Sequence, residues 1–239
     1  KAVAGDALRF QEPLNPEKKS FREFINPYLE PVPWTKFGIN VLLGTPADRI
    51  PNGPQTLFLP DLLKERFADA RMQRADTSLS LVAGQNVYVP ANPATFTTPF
   101  IAPAVAFWLL LGLVVPLSFI FHSRKTFWCW FERFLFGSVG LLGLIILFLW
   151  LFSSYPSTKW NWNIVWSAPA LLTFIFSFTD IKQFSGSYKA FLVIYTAIII
   201  LFLLSWSIIP QQIPYVILPI LLLLGFQSIK KQSESLNTE

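Results

Sequence analysis

The sequence predicts an α-helical membrane protein with about five transmembrane helices, preceded by an irregular, partly helical extracytoplasmic segment. Long apolar runs fill residues 104–229, and every charge in that range falls in a gap between two runs. The chain is 53% hydrophobic and 14% charged, with a mean hydropathy of +0.47, which is typical of membrane proteins. A helix needs ~20 apolar residues to cross the bilayer core, and its backbone N–H and C=O groups must form hydrogen bonds with one another because lipid offers none. Five helices satisfy both conditions.

The first 98 residues differ in composition from the rest. They hold 21 of the 33 charged residues and 11 of the 19 prolines, without an apolar run that could span a bilayer. The pattern predicts a short helix from Asn15 to Tyr28. It predicts either a short helix or a strand from Phe37 to Leu43. Pro60 to Met72 is the clearest soluble helix, because Pro60 suits a first helical position. Leu79 to Pro90 has strand character.

The domain boundaries follow from these patterns. Residues 1–102 form the extracytoplasmic segment, 103–229 the transmembrane domain, and 230–239 a cytoplasmic tail. The third span must run from Trp162 to Thr179 to reach full length. The fifth contains Pro219 and could form a hairpin with the fourth.

The loop charges predict the orientation. With residues 1–102 outside, the inner loops and the tail carry seven basic residues, whereas the outer loops carry Lys159 alone. Positive charge accumulates on the cytoplasmic side of membrane proteins. We therefore expect an extracytoplasmic N-terminal segment and a cytoplasmic C-terminus, which agrees with an odd number of spans.

Composition excludes several classes of function. The net charge of +5 does not indicate nucleic-acid binding, because the basic residues lie beside membrane ends. One cysteine and one histidine exclude an internal disulfide and a cysteine-cluster or multi-histidine metal site, and we expect no cofactor. His122 and Cys129 lie in the first inner loop among aromatics, and are predicted to be part of an interfacial anchor rather than a catalytic pair. The spans themselves lack ionisable residues, which argues against transport.

The outer loop between the second and third spans carries the first candidate site. Asn161 and Asn163 stand two residues apart, with Trp160, Trp162 and Trp166 interleaved. Amides and indoles at the outer interface could bind a lipid headgroup or the polar end of a substrate. The alternative is that the tryptophans form an aromatic belt and the amides satisfy backbone groups of loops or helix ends.

Asp48 and Arg49 form a second candidate site, because they follow the glycine turn at Gly44. The functional interpretation is a site at the membrane face. The alternative is a helix cap or a local ion pair.

The stretch FREFINPYLEPVPWTKFGINVLLGTPADR, followed by LFLPDLL, resembles the Lnb-type family of bacterial membrane proteins. Members carry an extracytoplasmic papain-like domain followed by several membrane spans. A weaker match comprises three glycines of the second span and the outer loop that follows it. The matching positions are Phe21, Arg22, Tyr28, Leu29, Pro33, Trp34, Phe37, Gly38, Ile39, Leu42, Leu43, Gly44, Ala47, Asp48, Arg49, Phe58, Leu59, Pro60, Asp61, Gly137, Gly140, Gly143, Asn161, Asn163, Trp166 and Pro169.

The resemblance implies a role in lipoprotein intramolecular transacylation at the bacterial inner membrane, with membrane lipids and bacterial lipoproteins as partners. In that family the catalytic histidine and cysteine motifs precede the Phe-Arg block, and this sequence begins after them. Tyr155 also stands where many relatives have a histidine. We therefore expect the C-terminal, membrane-anchoring half of such a protein, without catalytic residues of its own. The alternative is a non-enzymatic accessory subunit that packs with other membrane proteins.

Overall fold

The computed structural model describes residues 8–10, 17–74, 77–84, 86, 99–176 and 186–236. Their contacts divide the chain into two compact units. One comprises residues 1–28 and 49–97, and the other comprises residues 29–48 and 98–239. Residues 29–48 thus group with the predicted transmembrane part, whereas the sequence placed all of 1–102 in one segment.

The first unit contains two helices, α1 (Phe21–Leu29), which extends one residue beyond the unit, and α3 (Pro60–Ala68). A capping box begins α1, because Ser20 Oγ accepts from the amide of Glu23 while Glu23 Oε2 accepts from the amide of Ser20, at 3.2 and 2.7 Å. The hydrogen bond from the Ser20 backbone amide, and after it one from the Ser20 side chain to the carboxylate, hold the pKa of the Glu23 carboxyl below its usual value. The helix predicted from Asn15 to Tyr28 is confirmed from Phe21 onward, whereas residues 17–20 are not helical and residues 15 and 16 lie outside the described residues.

An antiparallel sheet completes the first unit, in the order β1 (Leu8–Arg9), β2 (Arg71–Arg74) and β3 (Thr77–Ser80). Met72 pairs with Leu79. Helix α3 ends four residues before the predicted Met72, because the chain from Arg71 onward forms strand hydrogen bonds. The predicted strand from Leu79 to Pro90 overlaps β3 only at Leu79 and Ser80. It is wrong for residues 81–84 and 86, which are not in a strand, and its other residues lie outside the described part of the chain.

The second unit contains α2 (Pro33–Leu42), α4 (Pro103–Ile120) and α5 (Lys125–Phe152). The run from Phe37, predicted as helix or strand, is helical. Helices α4 and α5 are the two in the described part of the chain that are long and apolar enough to cross a membrane. The apolar residues of the second predicted span begin at Leu135, but helix α5 begins ten residues earlier, at Lys125, inside the predicted first inner loop. As a result, Glu132 lies inside the helix and is buried rather than being in a loop.

The third predicted span is not a continuous helix where it is described. It consists of α6 (Asn163–Trp166), a 3₁₀ turn at Pro169–Leu172 and α7 (Thr173–Phe176), and residues 177–185 are outside the described residues. Pro169 has no amide hydrogen to continue the helix. The broken segment packs against the glycine face of α5, where a Cβ at Gly140 would lie 2.7 Å from the Leu172 amide nitrogen.

The last two helices are α8 (Gly186–Leu204) and α9 (Leu218–Leu236), joined through residues 205–217. Pro219 stands in the first turn of α9, where proline is tolerated. Helix α9 continues through the predicted tail boundary at residue 230 without interruption. Polar side chains join the two helices, since Thr196 Oγ1 and Ser228 Oγ lie 2.8 Å apart. Such hydrogen bonds hold helices together in lipid.

Apolar side chains occupy both the interior and the exterior of the second unit. The core lies where α5, α8, α9 and the broken segment meet, around Phe136, Leu171 and Leu224. Large apolar side chains are also exposed along the helices, including Leu113 on α4, Phe148 on α5 and Leu201 on α8. An exterior of this kind is suited to lipid rather than water.

Candidate functional site

Three buried amides meet the C-terminal end of α2. A helix leaves its last carbonyls without partners inside the helix. Asn161 Nδ2 and Asn163 Nδ2 donate to the carbonyl oxygen of Val41, at 2.8 and 2.9 Å. Gln211 Nε2 donates to the carbonyl oxygen of Leu43 at 2.9 Å. We call Asn161, Asn163 and Gln211 the amide clamp, since side chains from two distant segments hold the end of one helix.

The amides of the clamp also fix one another. Asn161 Oδ1 accepts from the backbone amide of Asn163 and from Gln211 Nε2, at 3.0 and 3.1 Å. Gln211 Oε1 accepts from the amide of Trp162 at 2.7 Å. The three side chains are 0–4% exposed. Every side-chain oxygen and nitrogen of the clamp is therefore hydrogen-bonded within the protein, and a ligand would have to displace one of these bonds.

Trp166 belongs to the same network. Its indole Nε1 donates to Asn163 Oδ1 at 3.0 Å, and its carbonyl oxygen accepts from the Tyr195 hydroxyl at 2.7 Å. The side chain is 1% exposed. Trp166 thus connects the clamp to α8, because Tyr195 lies on that helix.

We keep the name outer loop for residues 153–162, which were predicted to lie outside, and the turn after α2 docks onto this loop through its backbone. The Gly44 amide donates to the Ser157 carbonyl at 2.8 Å, and the Thr45 amide and Oγ1 donate to the Trp160 carbonyl at 3.2 and 2.8 Å. A Cβ at Gly44 would lie 1.9 Å from the carbonyl oxygen of Lys159, so only glycine allows this approach. Trp160 has a φ of 52°, a conformation that is uncommon for a bulky residue. Its hydrogen bonds with Thr45 hold that conformation.

Asp48 and Arg49 have different surroundings. Asp48 is half-buried, and its Oδ2 accepts from the backbone amide of Gln212 at 3.1 Å. Arg49 is exposed, and its carbonyl accepts from the amide of Phe21 at 3.2 Å. Asp48 therefore adds a second contact, after that of Gln211 with Leu43, between the end of α2 with its following turn and the segment that follows α8.

Aromatic side chains remain exposed around the clamp. Trp160 and Trp162 are exposed in the outer loop, and Tyr215 is exposed before α9. The rings of Trp150 and Trp160 lie 5.2 Å apart, and those of Trp206 and Tyr215 stack at 5.6 Å. The exposure of Trp160 and Trp162 agrees with the aromatic belt that we weighed as an alternative, since indoles concentrate at membrane interfaces. Trp166 does not fit that alternative, because its side chain is buried in the clamp network.

His122 and Cys129 lie at the other end of α4 and α5. His122 is exposed in the turn after α4, with Nδ1 3.1 Å from the carbonyl oxygen of Phe119. Cys129 is a half-buried free thiol on α5. Within the described ranges, we find no group of three or more histidine, cysteine, aspartate or glutamate side chains that could hold a metal ion.

The structure brings together Asn161, Asn163, Trp166 and Asp48, which were predicted site residues, and adds Gln211. Whether any of them contacts a ligand stays a prediction. Sequence reasoning missed Gln211 because nothing local links it to residues 41–43. The available signal was a polar pair, Gln211-Gln212, between two apolar segments.

Comparison with known proteins gives one family. No curated protein and no solved structure matches the chain. The family model of the Lnb transmembrane domain matches residues 95–236, which is 142 of the 239 residues. The chain therefore belongs to the Lnb transmembrane domain family.

Proposed function

We propose that this chain is the membrane-anchoring part of an Lnb-like protein that takes part in N-terminal acyl transfer on bacterial lipoproteins. The family match supports the anchoring role. The amide clamp is the observation that carries the proposal further, because it fastens residues 29–48, which precede the predicted spans, to the transmembrane part of the chain. The clamp would give an extracytoplasmic enzyme domain a fixed point of attachment at the membrane.

The proposed orientation puts the clamp at the extracytoplasmic surface of the inner membrane. The outer loop with Asn161 and Asn163 carries Lys159 as its one charge, whereas Arg124, Lys125 and Arg133 lie near the opposite ends of the helices. Positive charge favours the cytoplasmic side. Lipid-modified substrates would then meet the protein beside the exposed Trp160 and Trp162.

The residues of this site would have two kinds of role. Asn161, Asn163 and Trp166 would be positioning residues, because their polar atoms are buried and already hydrogen-bonded. Asp48 and Arg49 are more accessible and stay our candidates for contact with a polar headgroup. Acyl transfer by a thiol needs a cysteine and a base. In this proposal both come from outside the residues of this chain, since His122 and Cys129 lie at the cytoplasmic end.

A non-enzymatic subunit is the second candidate. The observation that favours it is that every polar side-chain atom of the clamp is used inside the protein. In that case the residues that resemble the Lnb family would serve only the packing of this chain. Its exposed apolar surfaces would contact lipids and other membrane subunits.

The test compares lipoproteins from cells with and without the natural gene for this protein. The measurement is mass spectrometry of lipoprotein N-terminal peptides, which reports the number and position of acyl chains. We expect deletion to change the acyl pattern, and the natural gene to restore it. An unchanged pattern after deletion would contradict acyl transfer and favour the subunit role.

The same assay tests the clamp. We expect Asn161→Ala combined with Asn163→Ala to lower acyl transfer per molecule of protein in the membrane. Losing buried hydrogen bonds costs about 1–3 kcal/mol each, which would loosen the end of α2. Gln212→Ala is the matched control, because its side chain is exposed and only its backbone contacts Asp48. Normal acyl transfer by the double variant would contradict a role of the clamp in the reaction.

A further inference from the structure

Gln227 is an exception among the buried polar side chains of the helices. It lies on α9 and is 0% exposed, yet neither its Oε1 nor its Nε2 has a hydrogen-bond partner among the described residues. Two other glutamines, Gln211 and Gln232, are hydrogen-bonded through their side chains. Buried polar groups in native proteins are nearly always satisfied, by protein or by an ordered molecule. The Gln227 amide therefore points to a bound group.

Two contacts between α9 and α5 locate this amide. Lys230 Nζ lies 4.6 Å from the ring centroid of Trp128, and Lys231 Nζ donates to Glu132 Oε2 at 2.6 Å. Residues three and four apart are neighbours on a helix surface, so Gln227 lies one turn before both lysines and on the same side. That side of α9 faces α5. Side chains on a helix lean toward its N-terminus, which brings the two lysine side chains over the turn that carries Gln227.

Charge and depth restrict what can bind there. The Lys231 and Glu132 side chains are 11% and 6% exposed, and their charges neutralise each other. A net charge on the bound group would then lack a counter-charge. The Gln227 amide offers both a donor and an acceptor, which a hydroxyl group complements. Gln227 stands about 5 Å along the axis from Lys230, the first charge on α9, so the headgroup region is close.

We propose that Gln227 and the Glu132–Lys231 pair form a buried binding site for a hydroxyl group, supplied by water or by the polar part of a membrane lipid. This site is separate from the amide clamp and does not depend on the proposed function. It would place a polar ligand between α5 and α9 at the end of the helices opposite the clamp.

Solid-state NMR of the full chain in bilayers tests the site and its source. The probe is ¹³C-labelled glutamine, with the Gln227 Cδ signal assigned by its loss in Gln227→Met. One sample contains deuterated lipids in H₂O, and the other contains protonated lipids in D₂O. At short mixing times, we expect proton magnetisation to be transferred to Gln227 Cδ. It should come from water in the first sample or from the lipid glycerol and headgroup in the second. Transfer in neither sample would overturn the proposal.

Thermal unfolding in detergent gives an independent measurement. Gln227→Met keeps the shape of the side chain and removes its polar atoms. If a hydroxyl group is bound, we expect the melting temperature to stay the same or to fall by about 2–4 °C. If the amide is left without a partner, the variant should melt at a higher temperature, which would contradict the site. Gln232→Met removes hydrogen bonds to Leu192 and Thr196 within the protein. The fall in its melting temperature shows how much the loss of such hydrogen bonds costs in this protein.

Discussion

Gly143→Ala should lower the free energy of unfolding by about 3 kcal/mol, at the upper end of what overpacking costs. A Cβ at Gly143 would lie 1.5 Å from the carbonyl oxygen of Ser167 and 2.6 Å from its carbonyl carbon. Both are backbone atoms, so no rotamer change can relieve the overlap. The turn at Ser167 would have to move, and it is fixed by hydrogen bonds from its amide and Oγ to the Asn163 carbonyl.

The measurement is the melting temperature of the purified protein in detergent, expected to fall by roughly 6–12 °C. Gly112→Ala is the matched control, because Gly112 also lies in a long apolar helix but has open space around its added Cβ. Alanine favours the helix by about 1 kcal/mol over glycine, so the control should melt at the same or a higher temperature. Equal melting temperatures for the two variants would contradict the close approach of α5 to the broken segment.

Lys231→Met should lower the free energy of unfolding by about 3–5 kcal/mol, because it leaves the buried Glu132 carboxylate without its partner. Lys231 Nζ and Glu132 Oε2 are 2.6 Å apart and both side chains are largely shielded. The energy lost is mainly the penalty of an uncompensated charge rather than the strength of the pair. The measurement is again thermal unfolding in detergent.

A double variant separates the pair from the packing around it. Replacing Glu132 by Gln in the Lys231→Met background removes the uncompensated charge, and we expect most of the lost stability to return. Lys230→Met is the control at the neighbouring position, where the charge lies over the Trp128 ring and 3.9 Å from Glu234. A cation–π contact is worth about 1 kcal/mol. If the double variant is as unstable as Lys231→Met alone, the loss of stability in Lys231→Met does not come from an uncompensated charge on Glu132.

Local pattern predicted much of the chain. Pro60 located the start of α3, and the apolar run that begins after Pro103 located α4. The choice between helix and strand at residues 37–43 stayed open, because a short apolar run fits both periods. The start of α5 was placed at Leu135, since the charged stretch before it looked like a loop. Glu132 pairs with Lys231 on α9, and the Arg133 guanidinium lies over the Trp130 ring. The sequence pattern around these two residues does not show the ion pair.

The candidate site was predicted in part. Asn161, Asn163 and Asp48 were singled out for their residue type and their place between apolar segments. Their common target was not predictable, because it is the backbone of residues 41–43 and of Gln212, far away in sequence. The alternative that the amides satisfy helix-end backbone agrees with the hydrogen bonds of the clamp. Gln211 and Gln227 were missed, since the burial that distinguishes them arises only when the helices pack.

The sequence by itself determined that this is a membrane protein, because hydropathy acts over short distances along the chain. The resemblance to the Lnb type rests on specific residues between Phe21 and Pro169, and the family match agrees with it. The tertiary structure decided which polar groups are buried and what they bond. It also decided that the third segment breaks at Pro169 to fit the glycine face of α5. Both outcomes depend on backbone atoms that approach each other from distant parts of the chain, where a single missing Cβ or one shared carbonyl decides the packing.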